Sequence, residues 1–327
     1  MRAVIADRPG GPEVLTVTEV PDPTPGPEDL LVEVAAAGVN FIDTYRRSGV
    51  YPTRFPHTPG SEGAGRVIAV GPGVSGVAEG DRVAWADAPG SYAERVLVRA
   101  DRALPVPDAL DDGTAAALPL QGMTAHYLAT STFAVGPGHQ VLVHAAAGGV
   151  GLLLTQLVTA AGGRVIATVG TAEKEALARA AGAAEVIRYR DLVDLTEDLP
   201  RMVRDLTGGR GVDVVYDSVG KDTFDASLAS LAPRGLLVLF GGSSGQVPPF
   251  DLQRLNRAGS LYVTRPTLGT YTADRTELLA RAGAVFSAAA SGDLTVRIGA
   301  TFPLADAAGA HRALESRATT GKVLLLP

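Results

Sequence analysis

The chain has 327 residues, 46% of them hydrophobic and 20% charged, which is more than one simple core organises, so two domains are expected. Its 29 basic and 35 acidic side chains give a net charge of −6, leaving no broad positive field for nucleic acid or a membrane surface. There is no cysteine, which excludes disulfides, thiolate nucleophiles and cysteine-ligated zinc or iron–sulfur centres. No apolar run reaches the ~18 residues of a membrane span. Asp7 comes too early for a secretory leader, so a cytoplasmic protein is expected. Only three lysines (Lys174, Lys221, Lys322) stand beside 26 arginines, a bias that fits a thermophile or a GC-rich genome.

Residues 1 to about 118 carry short β-branched runs between glycine and proline turns. Pro21 to Pro27 reads as an extended surface loop, because proline lacks the donor that a central strand needs. Leu30–Val39 and Gly63–Gly71 read as strands, with another near Gly80–Ala84, and together they suggest a small barrel-like β domain. From about 119 to 265 the pattern alternates. Strands are predicted at 141–144, 164–169, 185–188, 212–216, 236–240 and 260–264, with helical runs between them, which makes a doubly wound sheet. After Pro266 come a helix near Thr276–Ser291, a short strand near Leu294–Arg297 and a helix near Ala305–Leu314. This tail is expected to return to the β domain.

The most informative stretch is Val141 to Gly151. Strand-prone residues run into a loop of small residues, His144-Ala145-Ala146-Ala147-Gly148-Gly149-Val150-Gly151, and a helix is predicted from Leu152. Strand, glycine-rich turn and helix make a dinucleotide-binding unit, in which bare backbone and a helix N-terminus receive a pyrophosphate. In the G-x-G-x-x-G frame Ala146 stands for the first glycine, and Gly148 and Gly151 fill the others. An NAD site wants an acid at the end of the second strand, about 20 residues on. Val169 and Gly170 stand there instead, followed by Thr171 as a helix N-cap and by Lys174. An uncharged strand end with a lysine nearby favours NADPH over NADH, and Glu173 reads as a first-turn acid complementing the helix dipole.

Five segments together resemble one family. They are Gly38 to Tyr45, His144 to Gly151, Val214 to Gly220, Gly259 to Pro266 and Leu314 to Thr319. In this order they resemble the zinc-free quinone oxidoreductases, the zeta-crystallin branch of the medium-chain dehydrogenase/reductase superfamily. The resemblance implies an α/β protein with a doubly wound six-stranded Rossmann domain (119–265) and a GroES-like β-barrel catalytic domain (1–118 and 266–327). Zinc-dependent relatives carry a cysteine at the place of Asn40 and Gly-His-Glu at the place of Gly60-Ser61-Glu62. Asn40 and Ser61 are poor zinc ligands, so metal-independent chemistry is expected.

The same resemblance implies site residues. Gly170, Thr171, Lys174, Tyr189 and Arg317 are expected around the adenosine 2′-phosphate, and cations and a phenol suit a dianion. Gly148, Gly149 and Val150 are expected at the pyrophosphate. Ser218 and Phe240-Gly241-Gly242-Ser243 follow strands and are expected along the nicotinamide ribose and carboxamide. Phe41, Ile42, Thr44, Thr124, Tyr127, Pro266, Thr267 and Leu268 are further cofactor-facing positions. Asn40, Asp43, Tyr45 and Tyr51 are the candidates beside the acceptor. Tyr45 and Tyr51 are possible donors to a quinone oxygen, and solvent is an equal alternative. Asp217 reads as a strand-end acceptor of hydrogen bonds.

The expected activity is NADPH-dependent reduction of a small-molecule quinone, by hydride or stepwise electron transfer. One rival is reduction of α,β-unsaturated carbonyls, which also delivers hydride to a conjugated system. The other is a non-catalytic NADPH-binding protein, crystallin-like or RNA-binding, although the acidic charge counts against RNA. The apolar strand 260–264, with no lysine or proline, is expected to join two copies into a homodimer.

Overall fold

A computed structural model describes all 327 residues. They form two compact units, Met1–Met123 with Thr272–Pro327, and Thr124–Tyr271. The breaks follow 123 and 271, a few residues after the 118 and 265 read from sequence. Pro119 opens the helix Pro119–Tyr127, so it marks a helix start and the division falls inside that helix.

In the first unit the strand Asp29–Val39 is the organising element. It pairs antiparallel with Glu62–Val70, Arg95–Arg99 and Lys322–Leu326. Its first half alternates, with Leu30, Val32 and Val34 buried and Glu33 exposed, as a half-buried strand should. Its second half, Ala36 to Val39, is buried throughout. The C-terminal strand Lys322–Leu326 lies against it, so the tail does return to this unit. The unit's core includes Val4, Leu30, Val67, Trp85, Tyr92 and Leu325.

The strand expected at Leu294–Arg297 is not there. The helix Arg275–Ser291 ends at Gly292 in the left-handed conformation, and Leu294 N–H returns to Ala288 O at 2.9 Å. Leu294 is thus buried as the anchor of a helix-closing turn. The strand begins later, at Ile298–Pro303, parallel to Lys322–Leu326.

In the second unit six parallel strands are ordered Glu185–Arg188, Arg164–Val169, Gln140–Val143, Val212–Asp217, Leu231–Leu239 and Tyr262–Thr264. The strand order reverses between Gln140–Val143 and Val212–Asp217, the switch point at which open parallel sheets bind ligands. Helices Gly149–Ala160, Ala172–Ala180, Leu195–Leu206 and Phe224–Ser230 make the crossovers. Leu142, Ile166, Val215 and Leu237 are fully buried, the continuous apolar strands of a sheet covered on both faces. No helix of the protein is long and apolar enough to cross a membrane.

Candidate active site

In the second unit the loop after Gln140–Val143 is tight. Ala145 takes a positive φ of 50°, and Ala146 N–H bonds Thr168 O of the neighbouring strand at 3.1 Å. The helix starts at Gly149, earlier than the Leu152 read from the apolar run, because Gly148 already has N-cap geometry. Gly148 supplies no side-chain cap, so the first-turn N–H groups of Gly149, Val150 and Gly151 have no helical partner and point to an anion. A Cβ on Gly151 would strike Ala145 O and lie 2.7 Å from Ala146 Cα, so glycine is what lets helix and loop approach.

Beside this loop, strand Arg164–Val169 ends at Gly170, and Thr171 caps the helix Ala172–Ala180 by accepting Lys174 N–H at 3.3 Å. A Cβ on Gly170 would lie 2.8 Å from Tyr189 Oη and 3.4 Å from Arg190 Nε. Lys174 therefore shares this corner with Tyr189 and with a second cation that the sequence reading missed. Burial, then the Arg190 charge, holds the Lys174 ammonium below its usual range. Arg190 makes no ion pair, unlike its neighbour Arg188, which meets Glu175 and Asp191. Two like charges around a glycine at a strand end fit a phosphate dianion. Arg317 belongs to the first unit, just beyond the helix Ala307–Glu315, with a φ of 58°.

At the carboxyl ends of the central strands, Asp217 accepts from Val219 N, Gly220 N, Thr223 Oγ1 and Ser227 Oγ at 2.7–3.0 Å. Ser227 Oγ is 3.0 Å from His144 Nε2, and His144 Nδ1 is 2.9 Å from Thr168 Oγ1. Since Ser227 donates to Asp217, its oxygen accepts from Nε2–H, which fixes the His144 tautomer. Burial holds this imidazole below its usual range. The network binds three strand ends and the helix Phe224–Ser230 together, and it confirms Asp217 as an acceptor. Ser218 follows it, and Ser243 N–H donates to Ser218 O at 3.1 Å, so Ser218 and the Phe240-Gly241-Gly242-Ser243 loop form one rim. Thr124 and Tyr127 lie on the helix Pro119–Tyr127. The Tyr127 ring stacks on Tyr271 at 4.3 Å, which ties this helix to the helix Leu268–Tyr271 that follows Pro266 and Thr267. These features of the second unit fit a dinucleotide.

In the first unit the candidates sit on the helix Phe41–Arg47 and around it. Asn40 is its N-cap residue, and Asn40 N–H donates to Asp43 Oδ2 at 2.9 Å. The Asn40 side chain is committed inward. Its Nδ2 donates to Glu62 Oε2 at 2.7 Å, and its Oδ1 accepts from Lys322 Nζ at 2.9 Å and Gln121 Nε2 at 3.2 Å. Lys322 also pairs with Glu62, whose other oxygen accepts Leu120 N–H at 2.7 Å. Glu62 is 0% and Lys322 1% exposed, so this is a buried ion pair with its hydrogen bonds filled. Asn40 is thus a part of the scaffold. Lys322 was not anticipated. Its signal was a lysine retained in an arginine-rich chain, at the head of the apolar run Val323 to Leu326.

Ile42 is half-buried, and Thr44 is buried, with its hydroxyl donating to Phe41 O at 2.8 Å. Phe41, Tyr45 and Tyr51 form an aromatic cluster, with Tyr45–Tyr51 centroids 5.3 Å and Phe41–Tyr45 centroids 6.2 Å apart. All three are partly exposed, as a face for a planar ring requires. Arg46 donates to the buried Ser61 hydroxyl.

Asp43 is fully buried. Tyr92 Oη donates to its Oδ2 at 3.1 Å, and its Oδ1 has no partner. Behind Tyr92 stands His311, with Nε2 3.2 Å from the phenol oxygen and Nδ1 3.0 Å from Arg47 Nη1. Arg47 only donates, so His311 Nδ1 accepts and Nε2–H points to Tyr92. The chain runs one way, from Arg47 to Asp43, and holds the carboxylate in place. Burial pushes Asp43 up to about 6, against the opposing pull of the Asn40 N–H, Arg46, Tyr92 and Lys322.

A carboxyl raised in the folded state stabilises the fold below its unfolded value near 4, and that contribution is lost as pH rises through 6. Ionisation therefore costs the wild type roughly 3 kcal/mol across this window. Asp43→Asn carries no such cost. The stability of the variant relative to wild type is expected to rise by that amount between pH 4 and 7. Denaturant unfolding followed by the single tryptophan, the fully buried Trp85 of this unit, measures it. A difference that does not vary with pH would contradict the assignment.

Comparison with known proteins agrees with this geometry. The zinc-binding dehydrogenase family matches residues 149–284, and the alcohol dehydrogenase GroES-like domain matches 26–108. The quinone oxidoreductase of Pseudomonas aeruginosa is 47% identical over 97% of both chains. The chain belongs to the quinone oxidoreductase family of the medium-chain dehydrogenase/reductase superfamily. The structure of Escherichia coli quinone oxidoreductase complexed with NADPH superimposes with a TM-score of 0.97, at 46% identity over the whole of both chains. The 2-haloacrylate reductase of a Burkholderia species is 41% identical over 99% of this chain and 98% of its own. In this chain Asn40 is held by Lys322 and Glu62, and Ser61 by Arg46.

Proposed function

We propose that this protein is an NADPH-dependent reductase of quinones. The observation that carries the reading is the strand end at Gly170, which carries no acid of its own and where Tyr189 and Arg190 close on the glycine with Lys174 near enough to feel the Arg190 charge, beside a glycine loop whose first-turn N–H groups have no helical partner. NADPH, when bound, supplies the hydride. The Gly148–Gly151 turn would hold the pyrophosphate, and Gly170, Thr171, Lys174, Tyr189 and Arg190 the 2′-phosphate. Ser218 and the Phe240–Ser243 rim would orient the nicotinamide end, with Thr124, Tyr127 and Pro266 to Leu268 as further contacts. Phe41, Tyr45 and Tyr51 would receive a planar acceptor and exclude water from it. Tyr45 and Tyr51 carry the hydroxyls suited to an acceptor oxygen.

The relative named for haloacrylate reduction favours a second reading, in which an α,β-unsaturated carbonyl is the acceptor. NADPH consumption with benzoquinone and with cyclohexenone, side by side, separates the two. Preference for the quinone in kcat/KM is expected, and preference for the enone would replace the first reading with the second.

The assembly follows from the sheet edge. Tyr262–Thr264 is outermost in the six-stranded sheet, and Tyr262 and Val263 are 61% and 38% exposed. An uncovered apolar edge is used by natural proteins or blunted, and this one carries no blunting residue. Pairing of two such edges about a two-fold axis closes as a cytoplasmic homodimer. Sedimentation at micromolar concentration is expected to give a dimer, and Val263→Pro to loosen it. A wild-type monomer would exclude the pairing.

A further inference from the structure

Two adjacent arginines end the helix Phe41–Arg47, and they are used differently. Arg47 is buried and fully engaged, with Gly10 O at 3.1 Å, His311 Nδ1 at 3.0 Å and Glu315 at 2.5 Å. Arg46 is half-buried and has one partner, the hydroxyl of Ser61. A guanidinium carries five N–H donors, so Arg46 keeps most of its donors, and it makes no ion pair, although its charge is felt by Asp43. Asp43, one turn back on the same helix, spends Oδ2 on Asn40 N–H and Tyr92, and its buried Oδ1 makes no hydrogen bond to Arg46. The other titratable neighbour, His57, is held neutral by burial and by the Arg46 charge itself. A partly desolvated cation with spare donors, pinned by a neutral hydroxyl, is built for an oxygen that the protein does not supply.

Its place narrows the choice of oxygen. Arg46 follows Tyr45, a member of the Phe41–Tyr45–Tyr51 cluster assigned above to a planar acceptor. Its anchor, Ser61, is buried and directly precedes Glu62, which holds Asn40 at the head of the same helix, so the guanidinium is a fixed positive charge on the helix that carries the cluster. The geometry points to Arg46 as the residue that binds the carbonyl oxygen of the acceptor and stabilises the negative charge gathering there on reduction. The inference rests on the quinone reading and adds the residue that would discriminate between acceptors. The chemistry balances without a proton from Arg46. Two electrons and one proton reach the quinone as hydride from NADPH, and the second proton comes from water, giving hydroquinone and NADP⁺. A guanidinium does not deprotonate in this range, so Arg46 acts as a fixed charge.

The test uses Arg46→Gln, with Arg46→Lys to retain the charge and Ser61→Ala to release the anchor. For Arg46→Gln, kcat/KM with benzoquinone is expected to fall about 10- to 100-fold, the loss of one charge-assisted hydrogen bond. NADPH affinity, measured by fluorescence titration, is expected to stay within about twofold, because the lost contact is to the acceptor alone. Arg46→Lys and Ser61→Ala should fall between Gln and wild type. A readout independent of turnover is para-nitrophenol, whose phenolate mimics the reduced oxygen and absorbs differently from the phenol. Bound to wild type with NADP⁺, its ionisation is expected to shift to lower pH, and Arg46→Gln should abolish that shift.

Unchanged turnover with benzoquinone and an unchanged phenolate shift in Arg46→Gln would overturn the inference. So would an equal loss of NADPH affinity, which would mark Arg46 as a support of the fold or of the cofactor. If wild type binds NADPH but reduces no quinone, the quinone reading fails by itself, and the para-nitrophenol shift still decides the role of Arg46.

Discussion

Replacing Lys322 by leucine is expected to destabilise the first unit by about 3–5 kcal/mol, the cost of leaving a buried charge without its partner. Glu62 sits wholly out of solvent with the Lys322 ammonium on one carboxylate oxygen, so the substitution strands an anion where water does not reach it. Asn40 Oδ1 loses a donor at the same time, and with it one of the bonds that holds the start of the helix Phe41–Arg47. The pair is a coupled unit, so its partners are expected to be strongly non-additive. Glu62→Gln in the Lys322→Leu background removes the stranded charge yet keeps an acceptor for Leu120 N–H, and should recover more than half of the loss. Trp85 fluorescence in denaturant follows this unit alone, since it is the one tryptophan of the chain. A Lys322→Leu protein as stable as wild type would show that the ion pair carries nothing.

The second large effect concerns the cofactor. Each of Lys174→Ala and Arg190→Ala is expected to weaken NADPH binding by about 1.5–3 kcal/mol, or roughly 10- to 100-fold, as a charge-assisted contact to phosphate is lost. NADH has no phosphate at that position, so its affinity should be almost unchanged. The double variant should bring the two cofactors close together. Lys174 gains something from the loss of Arg190 when no cofactor is present, because the two cations repel each other. Arg190→Ala is therefore expected to be no less stable than wild type, although it binds NADPH more weakly. Titration of each cofactor against each variant reads this directly. Equal losses for NADPH and NADH would reject the phosphate assignment.

These two clusters mark where the sequence was legible and where it was not. The glycine loop, the missing acid at Gly170, the Thr171 cap and the alternation of strands and helices are local signals, and each sits where its pattern placed it. The strand read at Leu294–Arg297 failed because a left-handed glycine turned the following leucine back onto its own helix. Arg190 lies next to Tyr189, which was anticipated, but its nearness to Gly170 depends on the short turn Tyr189–Asp191. Lys322 meets Asn40 across 282 residues, and Arg47 meets His311 across 264. No spacing rule reaches that far. Such contacts exist only once the C-terminal strand has paired with Asp29–Val39.

Under the proposed function this chain oxidises NADPH at the expense of quinones. The most direct measurement is the rate of NADPH oxidation with benzoquinone, compared under the same conditions with NADH as the donor. Quinone-dependent turnover is expected with NADPH, with a kcat/KM at least about tenfold higher than with NADH, as one lost phosphate contact would give. NADPH that binds without being oxidised by any quinone, or turnover that is equal with NADH, would contradict it.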